Sequence, residues 1–282
     1  MSIFHALTLG IIQGLTEFLP VSSSGHLIFL PKLFGWADQG LSFDVVVHLG
    51  TLVAVIFYFR KKLWRILKSF FVMDKGLRVE FSLGNEKSTS PHAYRKIGFF
   101  LILSIIPAGL VGFFFNDWVE QNLRQTWIIG ASLIGWGLFL GLADFVSRSR
   151  IRQGNLLSHM TSKDALFIGC AQAIALIPGT SRSGITMTAG LFAKLDRQSA
   201  AEFSFLMSVP IIALAGGLKL FELAQTGLGD AAFFPLLVGF CAAAVSGFCG
   251  IWVLMRVIKW WSFLPFVVYR VLLGLGILLF FR

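Results

Sequence analysis

The stretch Gln13-Gly14-Leu15-Thr16-Glu17-Phe18-Leu19-Pro20-Val21-Ser22-Ser23-Ser24-Gly25-His26 sets an acid, an amide, hydroxyls and an imidazole inside an otherwise apolar sequence. Gln13 and Glu17 are four residues apart, so on a helix they share one face. Pro20 ends that helix, and the serines and Gly25 predict a turn whose free backbone N–H groups face an anion. A carboxylate at membrane depth is costly and indicates a functional site. The alternative is a polar loop at the membrane surface.

The composition is that of a polytopic helical membrane protein. Of the 282 residues, 56% are hydrophobic and 13% are charged, which is not a soluble composition. The formal net charge is +10, but the basic residues cluster between apolar segments, which the positive-inside rule explains better than nucleic-acid binding does. The cysteines form neither a disulfide framework nor a metal pattern, and we interpret them as buried packing residues. They are Cys170, Cys241 and Cys249.

Six segments are apolar and about long enough to span a bilayer, which requires roughly 20 residues. These segments lie near 43–59, 97–115, 127–146, 200–223, 233–256 and 263–281. Two further apolar stretches, 2–35 and 164–195, are each broken by a Pro/Ser/Gly turn, and each half is too short to cross alone. We therefore predict two re-entrant helical hairpins. Residues 60–68 predict either an amphipathic interfacial stretch or a solvated loop.

The two hairpins resemble each other in sequence. Gln13 and Gln172 are each followed, twelve residues later, by a glycine, Gly25 and Gly184 respectively. The chain therefore reads as two copies of one hairpin plus three spans. Because three is an odd number, the copies lie in opposite orientation, as in many transporters.

The predicted fold class is an all-α integral membrane protein with six transmembrane helices and two opposed re-entrant hairpins. We predict a single polytopic domain over 1–282, with one repeat at about 1–147 and the other at about 164–282. Placing every basic segment in the cytoplasm makes the first hairpin enter from outside and the second from inside.

Arg182 is a fixed cation in the second turn. A lone buried guanidinium is costly and needs an anionic partner. One hypothesis is a salt bridge to Glu17 that only joins the repeats. The other is an oxyanion clamp, because Arg binds phosphate oxygens bidentately and helix N-termini add N–H donors. The hydroxyls predicted around it are those of Ser22, Ser23, Ser24, Thr180, Ser181, Ser183 and Thr186. Such donors suit a phosphate or pyrophosphate better than a sugar or a cation.

The remaining polar side chains of the first motif have several possible roles. Glu17 is a candidate general base or ligand of a divalent ion. His26 is a candidate proton-transfer residue, or else a helix-end residue with satisfied hydrogen bonds. Gln13 either hydrogen-bonds Glu17, a metal or a phosphate, or simply packs. The nucleophile is a serine oxygen, at Ser22 or Ser23, or a water.

Other polar residues rank lower. Asp44 and His48 share a helix face and are interpreted as an orienting pair near the outer rim. Glu202 begins a span and favours that helix N-terminus. Arg270 is isolated in the last span, where it snorkels or pairs. Gly137 and its neighbouring glycines allow close helix contact, within the chain or between protomers.

The two motifs resemble the signatures of the undecaprenyl pyrophosphate phosphatase family, the bacitracin-resistance family. The first signature reads Glu/Gln-x-x-x-Glu followed by a Pro-Val-Ser-Ser-x-Gly-His turn, and the second reads Pro-Gly-x-Ser-Arg-Ser-Gly with a Thr soon after. The positions that fall on them are Gln13, Glu17, Ser22, Ser23, Gly25, His26, Pro178, Gly179, Ser181, Arg182, Ser183, Gly184 and Thr186. Gln13 stands where many members have Glu.

The resemblance implies hydrolysis of undecaprenyl pyrophosphate to the monophosphate, at an outward-facing site in the bacterial plasma membrane. It implies a divalent cation, Mg²⁺ or Ca²⁺, with Glu17 as a metal ligand, and a homodimer. This activity recycles the lipid carrier of cell-wall synthesis and confers bacitracin resistance. The expected catalytic residues are Glu17, His26, Arg182 and Ser23. The expected substrate-binding residues are Gln13, Ser22, Ser24, Gly25, Gly179, Ser181, Ser183, Gly184 and Thr186. The alternative class is an inverted-repeat transporter or flippase for a lipid phosphate.

Overall fold

The computed structural model describes residues 1–71, 91–148, 157–226 and 233–281. Within these ranges the chain forms ten α-helices, a short 3-10 helix at Leu157–His159 and no strand. The helices are α1 (Ile3–Phe18), α2 (Ser23–Phe34), α3 (Leu41–Phe71), α4 (Pro91–Asn122), α5 (Thr126–Ser147), α6 (Ser162–Ile174), α7 (Arg182–Phe192), α8 (Arg197–Thr226), α9 (Phe233–Trp260) and α10 (Leu264–Phe280).

Among the described residues, five helices are long and apolar enough to cross a membrane, as expected of a helical, multi-pass membrane protein. The candidate spans are Leu41–Phe71, Pro91–Phe115, Thr126–Ser147, Arg197–Glu222 and Phe233–Trp260. The sixth predicted span corresponds to α10, which has 17 residues. It therefore rises about 25 Å, slightly less than the ~30 Å hydrocarbon core. Many large apolar side chains on the surface of these helices are exposed, as contact with lipid requires.

The basic stretch that follows the first long span is helical, not a loop. α3 continues without a break to Phe71, so the solvated-loop alternative for residues 60–68 is wrong. Lys62 on this extension is 8% exposed and pairs with Glu202 at the start of α8. The charges therefore do not end the helix, because they either pair with a neighbour or lie on its exposed side. The polar stretch Met73–Pro91, which follows this helix in the sequence, lies outside the described residues except for Pro91.

Each predicted hairpin is a pair of short helices joined by a tight turn. α1 ends at Phe18, just before Pro20, and α2 begins at Ser23. In the second hairpin a capping box between Thr161 and Asp164 starts α6. Both α1 and α6 are far shorter than the neighbouring spans.

Glycines bring the first helix of each hairpin close to a long helix. α1 packs against α9, and α6 packs against α4. A Cβ on Gly10 would lie 2.5 Å from the carbonyl oxygen of Gly239, and one on Gly169 would meet the backbone of Ser104. Such approaches require a residue without a side chain.

Helices α5 and α10 are antiparallel neighbours, and glycines of α5 make the contact. Gly130 lies against Gly274, Gly137 against Arg270 and Gly141 against Val267. The close helix contact predicted at these glycines is thus within the chain.

The prediction that the three cysteines are buried is wrong. Cys170, Cys241 and Cys249 are free thiols with exposed side chains. A thiol behaves as a small apolar group, so the lipid-facing surface of a membrane helix accepts it as readily as a core does. Hydrophobicity alone does not separate these two environments in a membrane protein.

Candidate active site

Both hairpin turns end in a serine with the same unusual backbone conformation. Ser22 has φ 75° and ψ 95°, and Ser181 has φ 69° and ψ 107°. A positive φ is uncommon outside glycine and costs free energy. Each serine caps the following helix by accepting a hydrogen bond from a backbone N–H, that of Gly25 at 3.4 Å or of Gly184 at 3.1 Å. The N-termini of α2 and α7, which favour anions, thus lie at the turns.

The carboxylate of Glu17 is the centre of a buried polar cluster, with Glu17 only 7% exposed. Its Oε2 accepts hydrogen bonds from Gln13 Nε2 at 3.0 Å and Ser23 Oγ at 2.7 Å. Its Oε1 accepts one from Arg182 Nη2 at 3.0 Å. His48 Nε2 lies 3.8 Å from Oε2. The structure thus brings the acid of the first motif and the guanidinium of the second into direct contact.

Two buried polar atoms of this cluster have no hydrogen-bond partner in the part of the chain that the structure describes. Arg182 donates through Nη1 to the carbonyl oxygen of Ser204 at 3.1 Å, but its Nε has no partner, and neither has Gln13 Oε1. Buried atoms of this kind are rare in folded proteins. One donor and one acceptor, on two side chains that both contact Glu17, therefore have unused hydrogen-bonding capacity.

The hydroxyls of the second motif mainly hold the turn in place. Ser183 Oγ donates to the carbonyl oxygen of Leu19 at 3.0 Å, which ties the second turn to the first. Thr186 Oγ1 lies 2.8 Å from the carbonyl oxygen of Arg182 and 2.7 Å from Ser204 Oγ. Ser181 Oγ is occupied by its capping bond and by Ser183 Oγ at 3.2 Å. Their role as substrate ligands stays a prediction.

The other predicted substrate-binding residues shape the turns. Ser24 Oγ contacts Ser22 Oγ at 3.4 Å. Gly179 has φ +88°, and a Cβ there would lie 2.6 Å from the carbonyl oxygen of Ile129. At this position glycine supplies both the left-handed backbone conformation and the space.

His26 is fixed in position by both ring nitrogens. Its Nδ1 lies 2.7 Å from the carbonyl oxygen of Ser22, and its Nε2 lies 2.6 Å from Tyr269 Oη. A carbonyl only accepts, so Nδ1 carries a proton, and in the neutral form of the ring Nε2 accepts a hydrogen bond from the Tyr269 hydroxyl. With both nitrogens bonded in this way, His26 makes no direct hydrogen bond to Glu17.

Four residues of the site were missed or ranked low from the sequence. His48 Nε2 lies 3.8 Å from Glu17 Oε2, and the backbone carbonyl of Ser204 accepts a hydrogen bond from Arg182. Tyr269 and Arg270 both reach the turns from α10. Two of them carried a signal in the sequence: His48 shares a helix face with Asp44, and Arg270 is an isolated charge in an apolar span. The Asp44 carboxylate instead accepts a hydrogen bond from Gln39.

The cluster fits a divalent cation that is shared with a phosphate, but not a closed metal site. Among the residues that the structure describes, no three His, Cys, Asp or Glu side chains are grouped as a metal cage would require. Glu17 offers one carboxylate, and Gln13 offers an unpartnered buried Oε1. Mg²⁺ is commonly bound by one or two carboxylates together with substrate phosphates.

The fold and the site define the class: a multi-pass helical membrane protein with a buried polar site between two helix N-termini. The family model described as "Bacitracin resistance protein BacA" matches residues 6–276. The chain therefore belongs to this family.

Curated relatives match over the full length of the chain. The chain is 44% identical over 282 residues to undecaprenyl-diphosphatase 1 of Pseudoalteromonas translucida (strain TAC 125), with 99% of each chain covered. It is 44% identical over 283 residues to undecaprenyl-diphosphatase 2 of Stutzerimonas stutzeri (strain A1501), covering 100% of this chain and 99% of the relative. It is also 44% identical over 279 residues to the undecaprenyl-diphosphatase of Geobacter sulfurreducens, covering 99% and 98%.

The burial of the Glu17–Arg182 pair predicts a non-additive effect on stability. Arg182→Met alone leaves the buried carboxylate without its guanidinium partner, a loss that costs about 3–5 kcal/mol, whereas replacing both partners with neutral residues costs much less. We therefore expect the Glu17→Gln/Arg182→Met double variant to melt at a higher temperature than Arg182→Met. The measurement is the apparent melting temperature in detergent, followed by size-exclusion chromatography. The control is Lys219→Met, at a more exposed ion pair, which we expect to change the melting temperature little. If the shifts in melting temperature of the two single variants add up to that of the double variant, the prediction is contradicted.

Proposed function

We propose that this protein hydrolyses undecaprenyl pyrophosphate to undecaprenyl phosphate and inorganic phosphate, and so recycles the lipid carrier of cell-wall synthesis and confers bacitracin resistance. The observation that carries the proposal is the contact of Glu17 with both Ser23 and Arg182 between two helix N-termini. A base, a hydroxyl and a guanidinium in one buried cluster are the groups that transfer of a phosphoryl group needs. Membership of the family and the names of the relatives support the same activity.

In this proposal Arg182 and the two helix N-termini stabilise the charge that develops on the phosphate oxygens. Preorganised donors of this kind are usually the largest catalytic contribution. The Nε–H of Arg182, which is buried without a partner, is the donor we assign to a phosphate oxygen. Ser183 and Thr186 hold the second turn, so the guanidinium and the amide groups keep their positions while the substrate binds.

Ser23 is the proposed nucleophile, and Glu17 the proposed general base. Ser23 Oγ already donates its hydrogen to Glu17 Oε2 at 2.7 Å. Oγ would bond to the terminal phosphorus while its proton passes to Glu17. The bond from that phosphorus to the bridging oxygen would break, and undecaprenyl phosphate would leave. Water would then hydrolyse the phosphoserine and release phosphate. A water molecule activated by Glu17 is the competing nucleophile.

His26 is the proposed proton-transfer partner. Its Nε2 is bonded to the hydroxyl of Tyr269, which is 44% exposed. A proton can pass along this bond between the buried imidazole and the more accessible phenol. The parallel stacking of the two rings, 1° apart in plane, keeps the pair aligned.

We also propose that a divalent cation, Mg²⁺ or Ca²⁺, binds together with the substrate. Glu17 and Gln13 Oε1 would hold it on the protein side, with phosphate oxygens completing its shell. When bound, such a cation neutralises phosphate charge and orients the leaving group.

The proposed membrane arrangement has α10 as the sixth span and the two hairpins as opposed re-entrant elements. The repeats would be about 1–147 and 164–282 in one domain. The matching conformations of Ser22 and Ser181 support this symmetry. The helix packing also supports it, because α1 of the first repeat packs on α9 of the second, and α6 of the second repeat packs on α4 of the first. With basic segments in the cytoplasm, the site opens to the outer side of the bacterial plasma membrane. A homodimer is a further expectation from the resemblance.

Phosphate release tests the activity directly. Purified protein in detergent should release phosphate from undecaprenyl pyrophosphate. Arg182→Ala should lower kcat roughly 10²-fold, as the loss of an oxyanion donor does. Arg256→Ala, at an arginine stacked on Trp252 at the surface, should retain wild-type turnover. No release by the wild-type protein would indicate a transporter or flippase instead, and wild-type turnover by Arg182→Ala would refute the clamp.

Removal of divalent cations tests the metal. Treatment with a chelator should abolish most phosphate release, and Mg²⁺ or Ca²⁺ should restore it. Because Gln13 offers only a neutral oxygen, Gln13→Glu adds a second carboxylate and should lower the cation concentration that gives half-maximal activity. Full activity in chelator would rule the cation out.

Rapid quenching identifies the nucleophile. With substrate labelled in the terminal phosphate, label should appear covalently on Ser23 in the wild-type protein. Ser23→Ala should trap no label and lose most turnover, whereas Ser208→Ala, at a buried hydroxyl that bonds only within α8, should trap label normally. A fully active Ser23→Ala variant would leave the water as nucleophile.

A further inference from the structure

Arg270 is a completely buried arginine whose partners are all backbone carbonyl groups. It lies on α10 with 0% of its surface exposed. Its guanidinium donates to Pro20 of the first turn at 3.3 Å and to Gly179 and Thr180 of the second turn at 3.1 and 2.9 Å. It also donates to Leu133 and to the neighbouring Ser132 on α5, at 3.1 and 3.4 Å. One side chain therefore joins both turns to α5.

The contacts are symmetric between the two hairpins. Pro20 follows Gln13 by seven residues, and Gly179 follows Gln172 by seven residues. The guanidinium thus binds the equivalent carbonyl in each copy. Only the planar fork of arginine, with its five N–H groups, supplies donors to several separated acceptors in this way.

Arg270 does not behave as one half of a salt bridge. The ion pairs found among the described residues include no carboxylate next to it. Burial of a guanidinium is costly, and a purely structural link between helices does not require a charge. The glycine at position 137 makes room for its side chain, because a Cβ there would lie 3.1 Å from Arg270 Cβ and 3.3 Å from Nε.

The turns that Arg270 binds are the ones that carry strain. The strained serines, Ser22 and Ser181, follow Pro20 and Gly179 by two residues each. Such conformations persist only where the surroundings impose them. In a peptide group the C=O and the N–H point in opposite directions. Where a carbonyl of a turn points at Arg270, the N–H of the same peptide group therefore points away from Arg270.

We propose that Arg270 is a positioning residue, whose bonds to both turns hold Ser23 and Arg182 in the geometry that the reaction needs. Arg270 acts on the reaction through these residues, not by contact with the substrate. The expected effect of Arg270 on turnover rests on the proposed function. The expected effect of Arg270 on the two turns does not depend on any activity.

The main test is Arg270→Lys, which keeps the positive charge but loses the fork. We expect kcat of the folded variant to fall roughly 10²-fold, since small displacements of reacting groups have effects of that size. We also expect faster amide hydrogen exchange in residues 21–25 and 179–184 without substrate. The matched control is Arg197→Lys. Arg197 pairs with Asp144 beyond the C-terminal end of α7, away from both turns. We expect this variant to alter stability but to leave kcat and amide exchange in both turns unchanged.

A second pair of variants retains Arg270 and covers the case in which Arg270→Lys does not fold. Gly137→Ala presses on the arginine side chain, whereas Gly135→Ala adds a methyl group to open space on the same helix. We expect a several-fold lower kcat and faster exchange in both turns only for Gly137→Ala. Unchanged exchange and wild-type kcat in folded Arg270→Lys, or in Gly137→Ala when the lysine variant does not fold, would overturn the proposal. If the wild-type protein releases no phosphate, the proposed function fails, and the exchange data still decide whether Arg270 holds the turns.

Discussion

The contact between Glu17 and Arg182 constrains the rest of the molecule. Each group carries a charge into a part of the chain that is otherwise apolar, and burying either charge without the other is costly. Because the two residues are 165 positions apart, their pairing requires both hairpins to reach the same point. The short helices, the tight turns and the glycines that let α1 and α6 approach their neighbours follow from that requirement.

The sequence offered two explanations for Arg182, a link between the repeats or a clamp for an oxyanion, and the geometry makes them compatible. Nη2 binds Glu17 and Nη1 binds a carbonyl, so the side chain does join the two halves. These bonds do not use every donor of the guanidinium, since Nε is buried without a hydrogen-bond partner among the described residues. An ion pair that fixes the guanidinium in place is also what preorganises it for a ligand.

The sequence predicted the parts of the site that depend on neighbouring residues. It did not predict the contacts between residues that are far apart in the chain. The four-residue spacing of Gln13 and Glu17, and the Pro/Ser/Gly turns, follow from rules that operate within a few residues. The Tyr269 and Arg270 contacts join residues up to 250 positions apart, and no local pattern indicates which carbonyl a buried guanidinium will meet. For the same reason, the sequence did not distinguish a helix from a solvated loop at residues 60–68, because the partner of Lys62 is Glu202 on α8.

The two arginines of the site differ in what they contribute to its electrostatic field. Arg182 faces the carboxylate of Glu17, so these two charges largely cancel at a distance. Within the described part of the chain, the partners of Arg270 are neutral carbonyl dipoles, which solvate the cation without neutralising it. In the low-dielectric interior its charge, together with the positive ends of α2 and α7, gives the region between the turns a net preference for anions. A cation buried in this position therefore favours, by its electrostatic field alone, an anion between the two turns over a neutral or cationic group.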